Sequence, residues 1–262
     1  MPICKRSDVE IFYEDIGFGE PILFLHSHYN RGILAFACQM QAFHKKYRCI
    51  LPDFRGHGRT RSDNPDWSIP KSVEDMVGLL DALKIDKAHL IGYGGGAVTG
   101  FHIAIKHPER VVSLVSIGYS GLPYPKDESD EFLAEGLLRN RQFDIINEIN
   151  RKHFDAHKGD WQGFLRKTQI DDNSYTDLGE ERVRAIAAPV FLIAGEHDPY
   201  STPQQHERMK QLLPGCEVME CKGGSHNVHM VGEHTVAINK AILSFLERHA
   251  FKEKVEGILP IV

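Results

Sequence analysis

The chain has 262 residues, 42% of them hydrophobic and 26% charged, with a formal net charge of −5. That size and balance suit one large globular domain, or a domain carrying a sizeable insertion, and the acidic excess gives no reason to expect nucleic acid or a membrane surface as a partner. The first eight residues lack the apolar core of a signal peptide, no stretch approaches a transmembrane length, and the five cysteines lack C-x-x-C spacing, so a cytoplasmic protein with reduced thiols is expected.

Between Asp8 and Asp15, Val9, Ile11 and Tyr13 alternate with polar residues, the period of a half-buried strand. After turn chemistry at Gly17–Pro21, the run Ile22–Leu25 is continuously apolar, as in a strand covered on both faces. Ile33 to Tyr47 carries helix-spaced Phe36, Met40 and Phe43, and Cys49–Pro52 reads as a further buried strand leading into the loop Asp53–Thr60. Ser72 is placed to cap a helix through Val73, Met76, Val77, Leu79, Leu80 and Leu83. A strand then enters the glycine cluster at Gly92–Gly96, a small-residue helix leaves it, and Val111–Ile117 is the next strand.

From roughly Ser120 to Leu178 the alternation fails. The segment is polar, with helix-like pieces near Asp130–Leu138 and Phe143–His153 and aromatics at Phe132, Phe143, Phe154, Trp161 and Phe164. It resumes with a strand at Pro189–Ala194, a helix near Pro203–Leu213, a strand at Glu217–Glu220 and a helix at Glu233–Arg248, before a tail, Val255–Val262, too short to interpret. Strands alternating with helices imply an α/β fold with a mostly parallel central sheet and helices on both faces. The expected organisation is a core of residues 1–119 and 179–262, interrupted by an inserted helical cap at 120–178.

The spacing Gly92-x-Gly94-x-Gly96 between strand and helix is that of the nucleophile elbow, G-x-S-x-G, whose middle side chain stands exposed on a sharp turn. The outer glycines have a steric reason to be there, since backbone packs on backbone at such a turn. Here the middle residue is Gly94, so the turn is present without its hydroxyl. Asp198, after the strand ending at Ala194, and His226, after the last strand, follow in the order acid then histidine; Asp198 would orient His226, the general base. Backbone N–H groups of Gly95 and of His28, in the loop after Leu25, would form the oxyanion hole.

These pieces resemble the α/β-hydrolase superfamily, of the esterase, lactonase and C–C hydrolase kind with a cap. The matching stretches are Leu23–His26, Asp53-x-Arg55-Gly56-x-Gly58, Gly92-x-Gly94-x-Gly96, Gly195-x-x-Asp198 and Gly224–His226, spanning about residues 20 to 230 in the family's order. The resemblance implies hydrolysis of a small ester, lactone or related acyl substrate by a Ser-His-Asp triad without a cofactor. Two departures stand out: His26-Ser27 replaces the usual His-Gly, and Gly94 replaces the serine. Without that serine no acyl-enzyme forms by the usual route, and the chain reads as an inactivated, nucleophile-less form. Ser27, Tyr93 and Trp161 are expected to touch the substrate, while Asp53, Arg55 and His57 are expected to brace loops.

Other readings compete. With Gly94 natural, the Asp198–His226 dyad would activate water without a covalent intermediate, or the capped pocket would serve as a receptor. Ser27 and Ser225 lie off the elbow and are poor substitutes for its nucleophile. His26, His28, Asp53, His57, His197 and His226 show no compact ligand pattern, so no metal is expected. Gly92-x-Gly94-x-x-Ala97 also fits the dinucleotide fingerprint, but the next strand ends in Ser116–Tyr119 without the acidic residue that would hold a ribose. The expected partner is a small-molecule substrate; homo-oligomerisation is left open.

Overall fold

The structure is a computed structural model that describes residues 2–62, 66–124, 134–230 and 232–251. Residues 130–133 of the first expected cap helix, Phe132 and the tail 255–262 lie outside the described residues. In chain order the elements are β1 (Ile3–Lys5), β2 (Val9–Ile16), β3 (Glu20–Leu25), α1 (Gly32–Phe43), β4 (Tyr47–Pro52), β5 (Arg61–Ser62), α2 (Ile69–Ala82), β6 (Ala88–Tyr93), α3 (Gly95–Lys106) and β7 (Val111–Ile117). There follow α4 (Ala134–Arg139), α5 (Phe143–His157), α6 (Trp161–Tyr175), α7 (Glu180–Arg184), β8 (Val190–Gly195), α8 (Pro203–Leu212), β9 (Glu217–Cys221) and α9 (Gly232–Arg248).

The strands form one sheet in the order β1-β2-β4-β3-β6-β7-β8-β9, with β5 beside β2. Pairing is parallel from β4 through β3, β6, β7 and β8 to β9, and antiparallel where β2 meets β1, β4 and β5. The continuous apolar runs are explained by what covers each face. Side chains alternate along a strand, so Leu23 and Leu25 pack on one face with α2, α3 and α8, while Ile22 and Phe24 pack on the other with α1 and α9. Both faces are therefore apolar core, as a parallel sheet requires.

Two helices correct the sequence reading. Ser72 is not a cap: α2 begins at Ile69, the Ser68 hydroxyl accepts the Lys71 N–H at 3.4 Å, and Ser72 is buried in the second turn. Pro70 belongs inside that first turn, where a missing N–H costs nothing. The segment Trp161–Tyr175 shows only scattered aromatics in sequence, yet it is a continuous helix capped by the Asp160 carboxylate on Gly163 N–H. Its buried face is Phe164, Leu165, Thr168 and Asp171; half of that stripe is polar, so an apolar period does not register. In the same region α5 runs four residues past His153, and the edge strands β1 and β5 are too short to show a period.

Helices α4, α5 and α6 share a small apolar cluster of Leu137, Ile146, Ile149, Phe164 and Leu165 with Trp67 of the core. They cross the end of the sheet at which β3, β6, β8 and β9 hand over to their loops, and residues of all three line the cavity there. Among the described residues no helix is long and apolar enough to cross a membrane. Cys4, Cys49, Cys216 and Cys221 are buried and Cys38 is exposed, all as free thiols.

Candidate active site

The turn from β6 into α3 is made by glycines with different duties. A Cβ on Gly92 would stand 2.5 Å from the Ala97 Cα, and one on Gly96 would run into the Leu25 carbonyl, so both positions are closed by backbone. A side chain cannot be accommodated by a rotamer change there; Gly96→Ala is expected to lower stability by more than about 3 kcal/mol, read as loss of the folded baseline in urea melts. Gly94 is different. Its φ of +53° and ψ of −122° place it in a strained region, held by Gly94 N–H to Ile117 O at 2.9 Å and by Ala97 N–H to Gly94 O at 2.8 Å. A Cβ there would meet no backbone: it would stand 3.2 Å from Ser27 Cβ, a tight contact, and 3.4 Å from His226 Nε2. The strand–turn–helix geometry of an elbow is thus present, with glycine at its middle position.

The loop that carries Asp198 (the acid loop, for its carboxyl group) and the loop that carries His226 are stitched together before they reach this turn. Glu196 N–H donates to Cys221 O and His197 N–H to Gly224 O, each at 2.9 Å, and Gly223 N–H donates to the Glu196 carboxylate at 2.8 Å. Asp198 lies fully buried, receives the Tyr200 N–H at 2.9 Å, and faces His226 Nδ1 at 3.1 and 3.0 Å through its two oxygens. A carboxylate only accepts, so Nδ1 carries the proton and Nε2 presents its lone pair toward position 94. A Cβ on Gly118 would meet His226 Nδ1 and Cε1 at 2.7 Å, so that glycine makes room for the imidazole. Tyr93 and Tyr200 flank the ring, each with its centroid 5.0 Å away.

His28 brings a second imidazole to the floor. A Cβ on Gly95 would sit over its ring, 2.5 Å from Nε2 and 2.7 Å from Cδ2, so His28 fills the room that a side chain at position 95 would take. Its Nε2 lies 3.2 Å from the Asp172 carboxylate of α6. Burial opposes charging this imidazole, but Asp172 and Asp171 outweigh it and hold His28 above its ordinary value. As first residue of α3, Gly95 carries one of the N–H groups a helix leaves unpaired, beside position 94. Asp171, buried next to this pair, is pushed up to about 6, chiefly by burial and against the His28 charge. A carboxyl raised in the folded state stabilises it fully below the unfolded value and loses that contribution as pH rises through about 6. Asp171→Asn is therefore expected to raise stability at pH 7.5 by about 3 kcal/mol and to leave it nearly unchanged near pH 4, measured by denaturant melts at the two pH values.

The loop-bracing residues behave as expected. Asp53 receives N–H groups of Gly32 and Arg59, both at 2.9 Å, and Arg55 pairs with Asp75 and Asp8. His57 donates from Nδ1 to Arg55 O, and burial pushes it well below its ordinary value. His26 donates to Ser27 O and accepts the Phe54 N–H at 2.9 Å, a neutral imidazole that burial lowers to about 4. Among the described residues no group of three or more His, Cys, Asp or Glu side chains could hold a metal ion.

A cavity of about 540 Å³ opens above Gly94. Ser27, His28, Tyr93, Gly94, Gly95 and His226 all line it, so these predicted positions are brought together. Trp161 is not in the lining: it opens α6 and packs against the apolar cluster of the inserted helices. Ser225 bonds Asn227 away from the elbow. Sequence reasoning missed Tyr29, Tyr119, Tyr124 and Tyr200, which make much of the wall, and Asp172. Only Tyr200, two residues from Asp198, carried a local signal.

This architecture and site define the α/β-hydrolase family, and the chain belongs to it. Residues 20–153 match the family model described as alpha/beta hydrolase fold, and residues 168–255 match one described as TAP-like protein. A relative from Azorhizobium caulinodans, whose provisional name is carbamate hydrolase RutD, is 34% identical over 86% of this chain and 91% of its own. Among solved structures, an esterase of Thermogutta terrifontis superimposes with a TM-score of 0.76 at 20% identity, covering 96% of this chain and all of that one. A meta-cleavage product hydrolase of Pseudomonas fluorescens gives 0.74 at 20%, covering 92% and 96%. The family model and the relative establish the family, and the solved structures share its fold.

Proposed function

We propose that this pocket is that of an ester or lactone hydrolase in which the Asp198–His226 pair is intact, the nucleophile position is Gly94, and residues 120–178 act as the cap that selects the acyl group. One observation carries the reading: the direction a side chain at position 94 would take ends 3.4 Å from His226 Nε2, whose Nδ1 is held by Asp198. The nucleophile position, the base and its orienting acid follow the arrangement that acyl transfer demands, with the Gly95 and His28 N–H groups as the oxyanion hole. With glycine present the acyl-enzyme route is closed. The tyrosine-rich wall, together with Val98, Ile149 and Leu165, suits an apolar or aromatic acyl group of drug-like size.

The room left by the missing side chain favours a second reading. A water placed there would lie against His226 Nε2, and the dyad would activate it directly. A panel of 4-nitrophenyl esters and lactones, offered to this chain, to Gly94→Ser and to His226→Ala, separates the two. Turnover in the serine variant alone supports the disarmed hydrolase. Turnover in the unmodified chain that His226→Ala abolishes supports water activation. Silence in all three overturns both.

A further inference from the structure

A second serine–histidine–carboxylate chain lies outside the cavity. Ser201 Oγ is 2.9 Å from His206 Nε2, and His206 Nδ1 is 2.8 Å from Glu220 Oε1. Ser201 and His206 are each 1% exposed, while Glu220 is half-exposed at the far end. The carboxylate fixes the polarity: Nδ1–H donates to Glu220, so Nε2 accepts the Ser201 hydroxyl proton. Ser201 is absent from the cavity lining, and its one O–H is already committed to His206. A substrate does not reach it.

The three residues come from the places that must agree for Asp198 to meet His226. Ser201 ends the acid loop that leaves β8. His206 lies in α8, and Glu220 in β9, opposite Ala194 of β8 and just before the loop that carries His226. Between Ser201 and Asp198 stand Pro199 and Tyr200, whose N–H holds Asp198 Oδ1 and whose ring packs on His226. We propose that Ser201, His206 and Glu220 form a positioning relay: they tie the exit of the acid loop to the strand that delivers the base, and so set the Asp198–His226 hydrogen bond and the place of Tyr200. His206 is a positioning residue and takes no part in bond making. The role rests on Asp198–His226 being the working pair.

Two measurements test this, one independent of turnover. The His226 Nδ1–H proton shared with Asp198 is followed as a low-field resonance in proton NMR of the unmodified chain and of Ser201→Ala, His206→Phe and His206→Gln. Broadening or loss is expected in the first two, with retention in His206→Gln, whose amide oxygen can still accept from Ser201; circular dichroism establishes that each is folded. In the Gly94→Ser background, Ser201→Ala is expected to lower kcat for 4-nitrophenyl butyrate about tenfold to a hundredfold with KM unchanged. An unaltered resonance in folded Ser201→Ala and His206→Phe overturns the relay, as does covalent labelling of Ser201 by a fluorophosphonate. If the serine background is inactive, the hydrolase reading fails while the resonance still decides the relay.

Discussion

Replacing Gly94 by serine is expected to raise kcat for a 4-nitrophenyl ester by on the order of 10³ to 10⁶, because loss of a triad nucleophile alone removes nearly all that the triad supplies. That span is about 4–8 kcal/mol of barrier. The gain follows from geometry already in place. One further bond beyond a Cβ that stands 3.4 Å from His226 Nε2 brings a hydroxyl into hydrogen-bonding range, and Gly95, as first residue of α3, adds a helix N-terminal N–H beside it. The same change should destabilise the protein. A φ of +53° with ψ of −122° is paid by any residue with a Cβ, at about 1–3 kcal/mol, and Ser27 Cβ at 3.2 Å must yield slightly. The signature is therefore opposed: activity appears while the melting temperature falls by a few degrees. A folded serine variant that turns over none of the esters or lactones would sink the assignment.

Within that serine variant, Asp198→Asn should return most of the loss, about ten-thousand-fold in kcat, with little change in KM. Asp198 is completely buried and accepts both the His226 Nδ1–H and the Tyr200 N–H. With Tyr200 N–H holding the amide oxygen at the Oδ1 place, the NH₂ falls at the Oδ2 place, 3.0 Å from His226 Nδ1, and favours the tautomer of His226 with the proton on Nε2, the nitrogen that must take the hydroxyl proton. Steady-state kinetics on purified Gly94→Ser and Gly94→Ser/Asp198→Asn decide it. Losses below about tenfold would mean that His226 works without Asp198 and that the loop pairing is structural.

How much of this was readable before the structure differs from residue to residue. Gly92 and Gly96 announced a turn because the requirement is local: six residues of chain fold back on themselves, and no Cβ fits. Asp198 and His226 were legible through their order and loop context, since strand ends in a parallel sheet deliver such loops to one edge. Ser72 misled because two hydroxyl residues, Ser68 and Ser72, precede the same apolar period, and Pro70 favours the earlier start. Helix α6 stayed hidden because its buried face includes Thr168 and Asp171. Trp161 looked like a pocket aromatic, but its place at the start of α6 points it at Ile146, Phe164 and their neighbours instead.

By itself the sequence determined the alternation of buried strands and covering helices and the tight glycine turn at Gly92–Gly96. Each of these follows from constraints acting over a few neighbouring residues: side-chain periodicity and the space around a backbone. Only the tertiary structure decided which distant groups meet. His28 reaches Asp172 and displaces any side chain from position 95, Ser201 and His206 join Glu220 behind the acid loop, and four further tyrosines close around the cavity. Those contacts depend on strand order and on how the inserted helices settle over the sheet. They are fixed by the packing of surfaces far apart in the chain, which no local pattern encodes.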